Sequence, residues 1–333
     1  MIVAKIPLSN KKNIFITAGT SHTDAGGGAS QFYLGKNKMK APKTKDYVKA
    51  MYRVSMRHLR TARANYLTYR KDKDKKLFDY GSKKLPYNIV KAAAEGCSLN
   101  LSDNDNKERI KKIYHLTEAQ LNTASQDIAR RLFLTCLGIE SGDSYIKLYD
   151  DAGDFGYTMV HWDDTAGARS ITDQVRTIVN KEQRSRTGIG GQKVGLSGYV
   201  HVDYNVHIDP FISTNARKDK VFNLLRGVIT FIHESSHRYC DAECKQRIVG
   251  YPGGARNCDL NFDMEMTKEI PAFWASNMNY GNVGLPLYIN YTSDKKGWKH
   301  SLPGQRAKTA DCLALLIVAT GIKKHGIPGP DGR

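Results

Sequence analysis

Residues 233–237 read His233-Glu234-Ser235-Ser236-His237. On a helix this spacing puts both imidazoles on one face, one turn apart. From there two ring nitrogens can converge on a metal at about 2.0–2.1 Å. Glu234, beside the first histidine, can reach a water on that metal. Zinc lowers the pKa of such a water, and the carboxylate takes its proton as hydroxide attacks a carbonyl and then passes it to the leaving amine. The chemistry expected is therefore Zn2+-dependent hydrolysis of a peptide bond, with His233 and His237 as ligands and Glu234 as general base. Asp241, Glu243, Cys244 and Glu269 are the candidates for a third ligand. No Gly or Pro stands between residues 238 and 249. A helix running straight on to Gly250 would put Asp241 about 12 Å beyond His233 along the axis, at about 1.5 Å per residue. Helix geometry thus favours Glu269, in the next helical segment, Met266-Thr-Lys-Glu-Ile-Pro-Ala-Phe-Trp-Ala-Ser-Asn.

The elements that must position these residues are legible as periodicities. Val221, Leu224, Leu225, Val228, Ile229 and Ile232 recur at three and four residues, which predicts an amphipathic helix over 219–239. Just before it, Val200, Val202, Tyr204, Val206 and Ile208 alternate with polar residues up to Pro210. That is a half-buried strand over 199–209, expected at a sheet edge where it would hold an extended substrate. Thr117 begins a helix reaching Leu137, with Leu121, Ile128, Leu132 and Cys136 on one face and Thr117 as cap. Another helix is expected over 171–183. Gly188–Gly198 lacks the Gly-Lys-Ser/Thr of a phosphate loop. Residues 46–76 predict a basic helix whose Tyr47, Met51, Val54, Leu59, Tyr66 and Tyr69 form a buried stripe. The polar run 102–106 is the best boundary, giving a basic, mainly helical region over 1–114 and a second domain over 115–333.

The chain has 333 residues, of which 40% are hydrophobic and 25% charged, enough for a sizeable core. Its net charge is +18, and +16 of it falls in the first 115 residues. Such a block attracts an acidic partner or another polyanion. The longest apolar run, Cys312–Thr320, is far short of the about 20 residues of a membrane span. The first residues lack the pattern of a cleaved secretory signal, so the expectation is a cytoplasmic protein or one secreted without a cleaved leader. Six cysteines leave disulfide pairing open.

From about Glu118 to Asn277 the chain resembles the aspzincin metallopeptidases, the deuterolysin and lysine-specific metalloendopeptidase group. Val206-His-Ile-Asp-Pro-Phe and Thr230-Phe-Ile-His-Glu-Ser-Ser-His stand where that family has its Asp/Pro-Phe segment and its zinc helix. Thr267-Lys-Glu-Ile-Pro-Ala-Phe-Trp-Ala looks like the later aromatic helix, with Glu269 at its Asp. The resemblance implies an α+β zincin-like metallopeptidase domain, with the active-site helix and a small mixed sheet, in which His233 and His237 bind zinc and Glu234 is the base. The family's Gly-Thr-x-Asp-x-x-Tyr-Gly segment is replaced by His237-Arg-Tyr-Cys-Asp-Ala-Glu-Cys. The third ligand therefore stays open between Asp241, which the family favours, and Glu269, which fits the gluzincin arrangement. A protein or peptide is the expected substrate, and a leaderless peptidase with a basic segment would suit a secreted effector or toxin. The alternatives are a cell-wall peptide amidase with the same zinc chemistry, and a degenerate zincin acting as a basic binding protein.

Overall fold

The structure is a computed structural model. It describes residues 2–8, 13–19, 41–80, 87–141, 144–149, 156–158, 200–203, 216–240, 242–260, 295–326, 328–329 and 331–333. The described chain is α+β and mainly helical. Four long helices make the core: α1 (Ala41–Tyr66), α5 (Glu118–Ser141), α6 (Ala216–Cys240) and α9 (Ala310–His325). Shorter helices lie between them: α2 (Asp72–Lys75), α3 (Tyr87–Gly96), α4 (Asn104–Tyr114), α7 (Lys295–His300) and α8 (Pro303–Arg306).

Each long helix shows why it is buried. In α1, Val48, Met51, Ser55, Leu59, Ala62 and Tyr66 recur at three and four residues and are all shielded. The tyrosines among the basic residues thus belong largely to the core. In α5, Leu121, Ile128, Leu132 and Cys136 are fully buried. Thr117 caps this helix as expected: its hydroxyl accepts from the Gln120 N–H, and the side-chain amide oxygen of Gln120 accepts from the Thr117 N–H. The apolar run of α9 is buried on every side from Ala310 to Ile322, the pattern of a helix at the centre of a core. No helix among the described residues is long and apolar enough to cross a membrane.

A mixed sheet flanks this bundle, in the order β1 (Ile2–Pro7), β2 (Asn13–Gly19), β5 (Ser144–Tyr149), β7 (Val200–Asp203), β6 (Gly156–Thr158). Strands β2, β5 and β7 run parallel, and β1 and β6 are antiparallel edges. The alternating strand of 199–209 therefore lies inside the sheet over its described part, and the edge expected there belongs to β6. Two further ribbons join β3 (Leu67–Thr68) to β4 (Ser98–Leu99), and β8 (Lys245–Ile248) to β9 (Arg256–Asp259).

Residues on both sides of position 114 meet in these layers. Strand β2 hydrogen-bonds to β5, and α1 packs on α5, α6 and α9. The polar run 102–106 starts α4, with the Asp103 carboxylate capping the Asn106 N–H at 3.0 Å. The anticipated helix at 171–183 and the Gly188–Gly198 stretch lie outside the described residues.

Close helix approach rests on glycine at several points, of which two meet rings directly. A Cβ on Gly138 of α5 would overlap the ring of Tyr239, two residues past His237, and one on Gly321 of α9 would overlap His58 of α1. Overpacking costs about 1–3 kcal/mol, more than the about 1 kcal/mol of helix propensity that alanine regains. Gly138→Ala should lower the urea midpoint of unfolding. His58 itself is fully buried, and neither ring nitrogen has a hydrogen-bond partner among the described residues. Burial, and then the neighbouring Arg57 and His325, pull its pKa down from 6.5 to about 3. Between those values the unfolded chain binds a proton that the folded chain refuses. Stability present above pH 6.5 is therefore lost progressively as pH falls toward 3. Denaturant titrations at neutral and acidic pH should show this loss, and His58→Leu should reduce the difference between them.

Candidate metal centre

Helix α6 carries the two histidines on its last turns, as the spacing requires, and ends at Cys240. This end agrees with the helix expected over 219–239, and the straight run to Gly250 that would have carried Asp241 away does not form. Arg131 of α5 donates to the carbonyl of Cys240, one of the acceptors that a helix end leaves open. The Ala242 N–H turns back to the Ser236 carbonyl at 3.3 Å. The chain thus reverses without glycine or proline, with a buried guanidinium from another helix taking up its last carbonyl.

The reversal brings Cys244 over the histidines. The Cys244 Sγ lies 3.3 Å from His237 Nε2 and 3.6 Å from His233 Nε2, and the two Nε2 atoms are 3.0 Å apart. A tetrahedral zinc with ordinary bond lengths has edges of about 3.3 Å between nitrogens and about 3.6 Å between nitrogen and sulfur. The three donors thus stand close to the spacing that such an ion needs. They are the one His/Cys/Asp/Glu group of this kind among the described residues.

Both imidazoles are held by their other nitrogen. His233 Nδ1–H donates to the Asp311 carboxylate, and His237 Nδ1–H donates to the Ala242 carbonyl at 2.6 Å. A carbonyl oxygen can only accept, so the neutral His237 ring presents the Nε2 lone pair to the cluster. Pairing of a ligand histidine with a carboxylate or carbonyl is the usual support of a metal site. Asp311, at the start of α9, is 5% exposed and is placed by backbone pairing. The Glu243 N–H donates to Lys308 at 2.8 Å, and the Ala310 N–H donates to Glu243 at 3.3 Å. One short parallel bridge thus fixes Cys244 and Asp311 together. Arg306 anchors the segment before it, through Ser301 and the carbonyls of Trp298 and His115.

Electrostatics matches the geometry. Burial alone would raise the Cys244 thiol, but the hydrogen bonds and charges of His233 and His237 outweigh it and hold the pKa at about 6. Burial disfavours the charged form of His233, and the Asp311 carboxylate more than offsets this and raises its pKa. Burial likewise opposes charge on His237, and its contact with Cys244 carries that pKa upward. Glu234 is 4% exposed, with a carboxylate oxygen 3.9 Å from His233 Nε2.

Of the residues singled out in sequence, His233, Glu234 and His237 come together. Asp241 and Glu269, the two favoured third ligands, lie outside the described residues. Glu243 turns its carboxylate to Lys308 at 3.7 Å, away from the cluster. Cys244 joins the histidines because the chain reverses after Cys240. Asp311 was not anticipated, and its only sequence signal is a lone carboxylate opening an apolar run. Compared with protein-family models, with curated proteins and with solved structures, the chain matches none.

Asp311 should matter to the cluster without being a ligand. Asp311→Asn is expected to weaken Zn2+ affinity about 10- to 100-fold, read by competition with a chromophoric chelator. Unchanged affinity would show that the carboxylate does not support His233.

Proposed function

We propose that the chain is a zinc-dependent hydrolase of the zincin type, acting on peptide bonds. The observation that carries this reading is the convergence of His233, His237 and Cys244, with the buried Glu234 carboxylate beside them and both histidine rings held from behind. The donor set fits zinc, since imidazole and thiolate are both ligands that zinc takes. Bound there, zinc would supply Lewis-acid polarisation of a carbonyl and activation of a water.

The protein's own groups divide the remaining work. Asp311 and the Ala242 carbonyl orient the imidazoles so that their Nε2 atoms face the centre. Cys244, with its lowered pKa, brings negative charge as a thiolate. Glu234 is not needed as a ligand, and its buried carboxylate beside His233 would serve proton transfer. It would accept a proton as the nucleophile forms and return it to the departing amine nitrogen. A peptide amide suits a site that must both generate a nucleophile and protonate a poor leaving group. The sequence likeness to aspzincins over 118–277 supports a zincin arrangement, with Cys244 as the third donor beside the two histidines.

Two variants separate ligation from proton transfer. The purified chain should hold about one zinc, and His233→Ala should lose it. Glu234→Gln should keep the zinc and lose hydrolysis of unfolded protein by a factor of about 10²–10⁴. Hydrolysis of cell-wall peptides instead of protein would move the substrate to that class. A chain that cannot be loaded with zinc would end the proposal.

A further inference from the structure

The function proposed above uses nothing from the basic face of α1, yet that face lines a cavity of about 670 Å³ beside the β1–β2 hairpin. Its size is that of a small-molecule site. One wall is apolar: Ile6, Leu8, Ile14, Tyr52 and Met56. The other carries Lys49, Arg53, Arg57 and Arg60, and no carboxylate among the described residues lines the cavity. Three of these cations repeat every four residues, so they share one helix face at a spacing of about 6 Å. Arg60 has a counter-charge in Glu140, at 3.5 Å, and Arg53 donates to the Asp331 carbonyl at 3.3 Å.

Arg57 is different. Its Nε and Nη2 are withdrawn from solvent and have no hydrogen-bond partner among the described residues. These two N–H groups form one edge of the guanidinium fork, the edge that grips a carboxylate or phosphate with two parallel hydrogen bonds. Buried donors left unmade are costly, and because Arg57 lines the cavity, rotation of its side chain would turn this edge to an acceptor there.

We propose that this cavity binds an anionic amphiphile, with its phosphate or carboxylate head on Arg57 and its hydrocarbon part along Ile6, Leu8, Ile14 and Met56. A bare anion would leave the apolar wall unused, and a neutral apolar molecule would leave the cations unpaired. The proposal is independent of the metal centre. Arg53 and Lys49 lie within reach of the same head group and set its charge preference.

Titration calorimetry of the full-length chain tests it, using decyl phosphate below its micellar concentration, with decanol and inorganic phosphate as controls. Decyl phosphate should bind one to one, and each control should bind at least about tenfold more weakly, since a charged hydrogen bond and a buried chain each contribute more than about 1.4 kcal/mol. Arg57→Met, which keeps the aliphatic stem, should weaken binding about tenfold or more. The exposed Arg53→Gln should weaken it about threefold. Lys112→Met, the same charge change at an exposed position on α4, should leave binding within about twofold. Sedimentation with phosphatidylcholine vesicles, with or without an anionic phospholipid, distinguishes the sources. Pelleting only with the anionic vesicles, lost in Arg57→Met, assigns the head group to a bilayer. Binding of decyl phosphate without pelleting assigns a soluble amphiphile. Non-saturable binding, equal losses in Arg57→Met and Lys112→Met, or inorganic phosphate binding as tightly as decyl phosphate would each overturn the proposal.

Discussion

The arrangement around the histidines depends on where α6 stops. Arg131, buried at the side of α5, takes up the last carbonyl of α6 at Cys240. Without that acceptor–donor pair nothing local ends the helix, since no glycine or proline follows for nine residues. Because it ends there, residues 242–244 turn back and pair with 308–310. One reversal therefore delivers the thiol of Cys244 to the front of the imidazoles and the carboxylate of Asp311 to the back of one of them.

This arrangement is expensive in isolation. Two imidazoles, a thiol and two carboxylates are gathered in a largely shielded space, where charged groups lose solvation. Their mutual hydrogen bonds offset part of that cost. The Asp311–His233 pair and the His–thiol contacts move the pKa values of His233 upward and of Cys244 downward, so each group favours charge on its neighbour. A divalent cation, if bound there as proposed, would compensate the carboxylates and the thiolate together.

The bundle supplies rigidity. Helix α9 is buried on all sides, and α5 and α6 approach closely at Gly138, so Asp311 and His237 are carried by elements with little freedom to shift. The N-terminal strands and α1 belong to the same packed layers, since β2 pairs with β5 and α1 lies against α6 and α9. Part of the excess charge of the first third is carried by α1, whose opposite face is apolar and buried. Its basic residues have a fixed geometry, which is what allows a cavity beside them to be selective.

Much of this was legible in the chain itself. Helical periodicity located α1, α5 and α6, and the capping role of Thr117 followed from local hydrogen-bonding chemistry. The spacing of His233 and His237 placed both rings on one face, because 3.6 residues per turn is a local property. Alternation located β7, but not its place inside the sheet, since strand order is set by partners distant in sequence. The reversal of the chain after α6, the approach of Cys244 and the role of Asp311 were not legible. All three are decided by contacts between segments about 70 to 110 residues apart: Arg131 to Cys240, Glu243 to Thr309, and His233 to Asp311. Sequence determined which groups could bind a metal, and tertiary packing decided which of them meet.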